Sequence, residues 1–199
     1  APEAAELYTA SIGQRRSRVP VAYIRGFKVW DGCRIEVNAS VLIPRDETEI
    51  LVQRIGEWGR GRIDSFLDLG TGSGCITVAL ARRFPRAVPT AVDISEAALR
   101  VARKNFNLHQ IRVQVYRSDL LEGVSPHSEF DCIVANLPYV PRGMKLAPEV
   151  KEEPEQALFS GEEGLDHIRR LGLELRDKKI QFQALWLEFL PQQAAAIKV

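Results

Sequence analysis

The sequence predicts an α/β fold: a Rossmann-like, mainly parallel sheet with helices on both faces, preceded by a short helix and a β-hairpin. Three observations carry this expectation. From Asp64 onward, short apolar runs of strand length alternate with longer runs of helix length. A glycine-rich stretch, Gly70-Thr71-Gly72-Ser73-Gly74, follows the first of those strands, and a carboxylate, Asp93, ends the second. In sheets built this way a ligand sits outside the carboxyl ends of the strands, near the switch in strand order.

Taken in order, residues 2–17 read as a helix, with Ala4, Leu7, Tyr8 and Ile12 at helical spacing. Val19 and Pro20 break it. Residues 27–30 and 33–37 alternate in hydrophobicity around Asp31-Gly32, a dipeptide that tolerates positive φ at both positions, so a two-residue hairpin is expected. Residues 46–58 are helical again. The core begins with a strand at 65–69 and a helix at 73–84. A second strand follows at 88–93, then a helix at 95–108 that Ser95 caps, with Glu96 in its first turn. Strands at 111–117 and 130–136, a helix at 164–177 and a fifth strand at 183–189 complete the pattern.

A chain of 199 residues suits one α/β domain plus a small appendage. Hydrophobic residues at 45% and charged residues at 27% are ordinary globular values, so a sizeable core can be buried. The net charge of +1 gives no overall field toward nucleic acid or a membrane, so neither is the expected partner. The cluster Arg15, Arg16, Arg18, Arg25, Lys28 and Arg34 reads as solvated surface. Cys33, Cys75 and Cys132 are scattered and lack metal-ligand spacing. They are expected in the core, in a reducing compartment such as the cytoplasm, with no metal site. There is no apolar run long enough to span a bilayer, and the first residues do not resemble a signal peptide.

Glycines in 70–74 let the backbone turn sharply and approach a ligand, and the helix that follows offers free amides to an anion. A phosphate-cradling P-loop is excluded because no Lys-Ser/Thr pair follows, and a dinucleotide fingerprint starting at Gly70 would need a small residue at Cys75. Asp93 lies 19 residues beyond Gly74, where a strand-tip carboxylate can accept both ribose hydroxyls of an adenosine. Its plainer role is to start the next helix. Asp119, after the third strand, is placed to meet the adenine amino group, with Leu120 packing on the ring; Ser118-Asp119 also suits an ordinary turn.

The fourth strand runs into Asn136-Leu137-Pro138-Tyr139. The asparagine carbonyl and a neighbouring backbone carbonyl can accept both hydrogens of one planar NH2 group, and the tyrosine ring can pack on its flat face. Such a nitrogen is a poor nucleophile because its lone pair is delocalised. Orientation must then supply much of the acceleration, worth roughly 7–11 kcal/mol in well-aligned systems. The alternative for this segment is a proline-rich strand exit with a capping asparagine.

At these residues the sequence resembles the class I methyltransferases that act on NH2 nitrogens, whose fourth motif reads Asn/Asp-Pro/Leu-Pro-Tyr/Phe. It is most similar to the peptide chain release factor glutamine methyltransferases. Pro20-Val21-Ala22-Tyr23-Ile24-Arg25-Gly26 resembles that family's Pro-x-Gln-Tyr-Ile-x-Gly, and Leu42-Ile43-Pro44-Arg45-Asp46-Glu47-Thr48-Glu49 its Leu-Ile-Pro-Arg-Pro-Glu-Thr-Glu. Glu153-Pro154, Ala157-Leu158 and Gly161-Glu162-Glu163-Gly164-Leu165 resemble its Glu-Pro-x-x-Ala-Leu and Gly-x-Asp-Gly-Leu elements.

The resemblance implies that Gly70, Thr71, Gly72, Ser73, Gly74, Asp93, Asp119, Leu120 and Asn136 bind S-adenosylmethionine. It implies that Asn136, Pro138 and Tyr139 are catalytic, that these and Leu137 hold the glutamine amide, and that Arg45 and Glu47 shape the substrate mouth. The implied partner is a release factor, methylated on the glutamine of its Gly-Gly-Gln loop. Two positions depart from the family pattern: Leu137 and Asp46 each stand where it has proline.

Residues 1–62 are expected to be what remains of a substrate-binding region. Residues 63–199 would be the methyltransferase core, shortened at its C-terminal side. The antiparallel pair that completes the family's sheet is not evident in the sequence. An open sheet edge of that kind favours a homodimer or strand exchange. Two alternatives stand beside the family's activity: methylation of an adenine amino group in RNA or DNA, since Asn-Leu-Pro-Tyr also occurs in ribosomal RNA adenine dimethyltransferases, and a non-catalytic cofactor-binding domain.

Overall fold

The computed structural model describes residues 2–60 and 63–197. The boundary expected at residue 62 therefore lies outside the described residues. Helix α1 (Pro2–Arg16) forms as expected, but its Leu7, Tyr8 and Ile12 remain exposed. A short helix, α2 (Val21–Arg25), follows where the sequence showed only a break, stopped by Gly26 at φ 76°. Five residues are too few to carry a readable period. Strands β1 (Phe27–Trp30) and β2 (Cys33–Glu36) form the hairpin, with Asp31 and Gly32 at φ 48° and 69°, the geometry of the expected turn. The Asp31 carboxylate takes two hydrogen bonds from Arg83, at 2.5 and 2.7 Å, which fasten the hairpin to the core.

Five strands make the main sheet: β3 (Ser65–Leu69), β4 (Val88–Asp93), β5 (Gln114–Arg117), β6 (Glu129–Ala135) and β7 (Gln181–Leu187). All are parallel, in the order β5-β4-β3-β6-β7. Helices α3 (Asp46–Gly59), α4 (Cys75–Arg83) and α5 (Glu96–Leu108) cover one face, and α6 (Asp166–Asp177) the other. Side chains alternate between the layers accordingly. Phe66, Cys132 and Val134 pack toward Val52, Val78 and Phe106, while Leu67, Ile133 and Ala135 pack toward Leu171 and Leu175. All three cysteines are buried and free.

Element edges differ from expectation where backbone geometry overrides composition. Helix α4 starts at Cys75 because Gly72 and Gly74 sit at φ 55° and 81°. Helix α6 starts at Asp166 because Gly164 sits at φ 74°. Strand β5 starts only at Gln114, with Ile111 and Val113 packing on the core from the preceding loop. Strand β7 lies two residues earlier than expected, its register fixed by Glu129↔Gln181 through Ala135↔Leu187.

Strand order reverses between β3 and β6, where Leu69 pairs with Ala135. The next residues of the two strands, Gly70 and Asn136, therefore emerge side by side at the carboxyl rim. That is the position the doubly wound topology reserves for a ligand.

Candidate active site

One cavity opens at this switch point. The glycine loop, Asp93, Asp119, Leu120, Asn136, Leu137 and Pro138 line it, together with Pro44, Arg45 and Thr48 from the start of α3. Its glycine side is fixed by buried carboxylates. Asp68, at 0% exposure, accepts hydrogen bonds from Thr71 Oγ1 at 2.7 Å and Thr77 Oγ1 at 2.6 Å, both on Oδ2. Its Oδ1 has no partner among the described residues. Burial is the main cause that raises its carboxyl to about 6, against the two threonine hydrogen bonds and with a smaller push from Asp93.

Asp93 accepts Gly72 N–H on Oδ2 at 2.9 Å and Ser95 N–H on Oδ1 at 2.8 Å. Burial again raises its carboxyl, and these backbone donors oppose the rise. Ser95 caps α5, as expected, by accepting from Ala98 N–H at 3.2 Å. A Cβ on Gly74 would lie 2.6 Å from the Phe106 ring, so that glycine lets the loop pack on α5 and does not line the cavity.

The opposite side is held by contacts from distant elements. Asn136 is half-buried and donates Nδ2–H to Thr48 Oγ1 at 3.1 Å. Tyr139 donates its hydroxyl to Glu188 Oε1 at 3.0 Å, and burial with the nearby carboxylate raises its phenol. Gln193, 4% exposed, donates Nε2–H to the carbonyls of Tyr139 at 2.9 Å and Glu163 at 2.8 Å. Glu153, also 4% exposed, accepts from Ile43 N–H at 2.9 Å and Arg45 Nη2 at 2.5 Å. That pair clasps the 42–49 segment to the 153–158 segment beside the cavity.

The expected site residues thus divide. Gly70, Thr71, Gly72, Ser73, Asp93, Asp119, Leu120, Asn136, Leu137, Pro138 and Arg45 share one cavity; Gly74, Tyr139 and Glu47 are not on its lining. Asp119 reaches the cavity with its carboxylate engaged by Arg170 at 2.9 Å. Glu47 is exposed in the first turn of α3. Leu137 is 4% exposed and packs with the α6-side core, so the leucine at this position is a core residue as well as part of the lining. Asp46 occupies the first position of α3, where proline is also favoured, and pairs with Lys28 Nζ at 2.6 Å.

Thr48, Glu188 and Gln193 were not singled out as candidates from the sequence. Thr48 lies inside the Leu42–Glu49 motif and the other two in plain polar stretches, and only long-range contacts reveal what each holds. Burial pushes the Cys75 thiol up to about 12, which removes it as a nucleophile near neutral pH. Among the described residues there is no group of three His, Cys, Asp or Glu side chains placed to hold a metal, and no helix long and apolar enough to cross a membrane.

The Methyltransferase small domain family model matches residues 46–161. The release factor glutamine methyltransferase of Deinococcus radiodurans is 37% identical over 199 residues, covering 98% of this chain and 71% of its own length. This chain belongs to the release factor glutamine methyltransferase family. The family member from Koribacter versatilis is 42% identical over 168 residues, 82% of this chain and 60% of its own length. The chain therefore spans 60% to 71% of the length of these two members.

Solved structures share the fold. The ribosomal protein L11 methylase of Lactobacillus delbrueckii subsp. bulgaricus superposes with a TM-score of 0.56 at 21% identity, over 77% of this chain and 66% of that one. The hMettl16 catalytic domain, solved in complex with an RNA hairpin from the MAT2A 3′UTR, gives 0.60 at 17% identity, over 75% and 58%.

Proposed function

We propose that this chain transfers a methyl group from S-adenosylmethionine to the side-chain amide nitrogen of the glutamine in the Gly-Gly-Gln loop of a peptide chain release factor. One observation carries it: a single cavity joins the glycine loop and Asp93 to the Asn136-Leu137-Pro138 corner.

The residues fit an adenosine-bearing methyl donor. Each Asp93 oxygen already takes one backbone N–H and keeps a lone pair for a ribose hydroxyl. Gly72 has no Cβ to obstruct a close approach, and even an added one would meet only the Gly70 carbonyl, at 3.9 Å. Leu120 and Asp119 stand at the far end for the adenine. When bound, the donor supplies an electrophilic methyl carbon on sulfonium, so the protein needs no metal or acidic nucleophile.

The protein's task is then orientation. Asn136 Oδ1 and a neighbouring backbone carbonyl accept the two hydrogens of the glutamine amide, which turns the nitrogen toward the methyl carbon. Tyr139, off the cavity lining, is pinned by Glu188 and anchors the end of this corner. The N–C bond forms, the S–C bond breaks with its electron pair returning to sulfur, and one amide proton is shed to water. Segment 1–62 contributes Pro44, Arg45 and Thr48 to the lining, with Glu47 exposed in the same helical turn, and segment 63–199 contributes the donor site and the Asn136–Pro138 corner. Buried free cysteines and a translation substrate support a reducing compartment such as the cytoplasm.

The test is mass spectrometry of a Gly-Gly-Gln-containing release factor after incubation with the chain and S-adenosylmethionine. One added methyl on that glutamine is expected. Labelled methyl appearing on RNA and not on the release factor would overturn the assignment.

A further inference from the structure

We propose that Thr48 is a positioning residue for the transfer: its hydroxyl anchors the Asn136 side chain at the cavity and accepts from Nδ2 while Oδ1 takes up a substrate NH2. This rests on the function proposed above and names a component of the same site outside the Asn136–Tyr139 tetrapeptide.

The two ends of an asparagine amide are nearly equal in size and opposite in hydrogen-bonding character. Rotated by half a turn, Asn136 would present an NH2 donor to the substrate's own NH2 donor, and the pair would repel. The tetrapeptide alone does not choose between these states. Asn136 follows β6 directly, outside the strand ladder, so its side chain must find its constraint elsewhere.

Thr48 supplies it. Its Oγ1 stands 3.1 Å from Asn136 Nδ2. The residue is 2% exposed, lies in the first turn of α3 and lines the same cavity. Among the described residues this is the one hydrogen bond its hydroxyl makes. With a donor amide in the cavity, Oδ1 must accept, Nδ2 must find an acceptor, and the Thr48 hydroxyl is that acceptor. Without it, Nδ2 is left unpaired in a half-buried setting whenever Oδ1 accepts from the substrate, and the productive placement is destabilised. The helix that carries Thr48 is itself anchored: Arg45, its N-cap residue, is clasped by Glu153, and Trp30 Nε1 donates to the Arg45 carbonyl at 2.7 Å. The amide of Asn136 is thus referenced to a fixed part of the core.

The test compares Thr48→Val, which keeps the shape and removes the acceptor, with Thr48→Ser, which keeps the acceptor. Turnover on a full-length release factor is measured beside calorimetric affinity for S-adenosylmethionine. Thr48→Val should lower kcat by about 10- to 100-fold, the scale of a misaligned reacting group, with cofactor affinity within a few-fold. Thr48→Ser should recover most of the loss.

A role in merely packing α3 would leave Thr48→Ser no better than Thr48→Val, and that result overturns the proposal. Full turnover in Thr48→Val, with wild-type chain active and Asn136→Ala inactive, overturns it too while leaving the proposed function intact. An inactive wild-type chain would instead remove the function on which it rests. Should Thr48→Val fail to fold, Thr48→Cys, a weak acceptor of similar size, carries the same comparison.

Discussion

On the glycine-loop side of the cavity, the fixing contacts are short in sequence: Asp68 reaches Thr71 and Thr77, three and nine residues on, and Gly72 reaches Asp93, 21 residues on. On the Asn136 side they are long: Thr48 is 88 residues from Asn136, and Glu188 and Gln193 are 49 and 54 from Tyr139. The first side is a local structure that one strand–helix–strand unit, β3-α4-β4, can build. The second exists only after the whole sheet and its flanking segments have closed. A donor site can therefore survive damage that dismantles the acceptor site, and the two should fail separately.

The largest expected effect tests that separation at the acceptor end. Asn136→Ala should reduce turnover by about 10²–10³-fold, comparable to removing one preorganised hydrogen-bonding group from a reacting centre, while calorimetry shows cofactor affinity within a few-fold. A matching drop in cofactor affinity would mean that the two sides are one structure.

Next comes the clasp between distant segments. Glu153→Ala leaves Arg45 without its partner and Ile43 N–H without an acceptor. It should lower unfolding stability by about 2–4 kcal/mol, measured in urea, and impair turnover by loosening the mouth.

At the donor end, Asp93→Ala should weaken S-adenosylmethionine binding by roughly 1–3 kcal/mol, with the fold retained because the lost bonds are local.

The smallest effect is a pH dependence of stability from Asp68. The folded state holds its proton up to about pH 6, against an ordinary value of 3.8. The folded chain therefore binds that proton more tightly than the unfolded chain, and this contribution to stability falls as pH rises from about 4 to about 6, then levels. Asp68→Asn should flatten that limb of the pH–stability curve and raise stability at neutral pH by roughly 1–2 kcal/mol. An unchanged curve would show that the buried carboxyl does not titrate in this range.

The same contrast explains what could be read in advance. The turn Asp31-Gly32, the strands at 65–69 and 88–93, and the cap Ser95 are all specified by neighbours in the chain, and each formed where its residues predicted. Strand alternation put Gly70 and Asn136 at strand ends, and the Leu69↔Ala135 register sets them side by side. Edges shifted where positive-φ glycines at 72, 74 and 164 delayed a helix, because composition alone does not say which glycine turns. The contacts made by Thr48, although it lies in a quoted motif, and by Glu188 and Gln193 were not legible for a different reason. Nothing in the residues next to them distinguishes a polar side chain that grips a remote loop from one that faces water.

Gly164 faces the same knot of bonds from the opposite direction. A methyl group there would lie 2.0 Å from the Tyr139 carbonyl oxygen and 2.6 Å from Gln193 Nε2, and its φ of 74° already disfavours any side chain. Random mutagenesis should consequently return positions 161 and 164 as glycine, since Gly161 sits at φ 69° with a Cβ there clashing with the Asp166 carboxylate, while the exposed Glu162 and Glu163 between them drift freely.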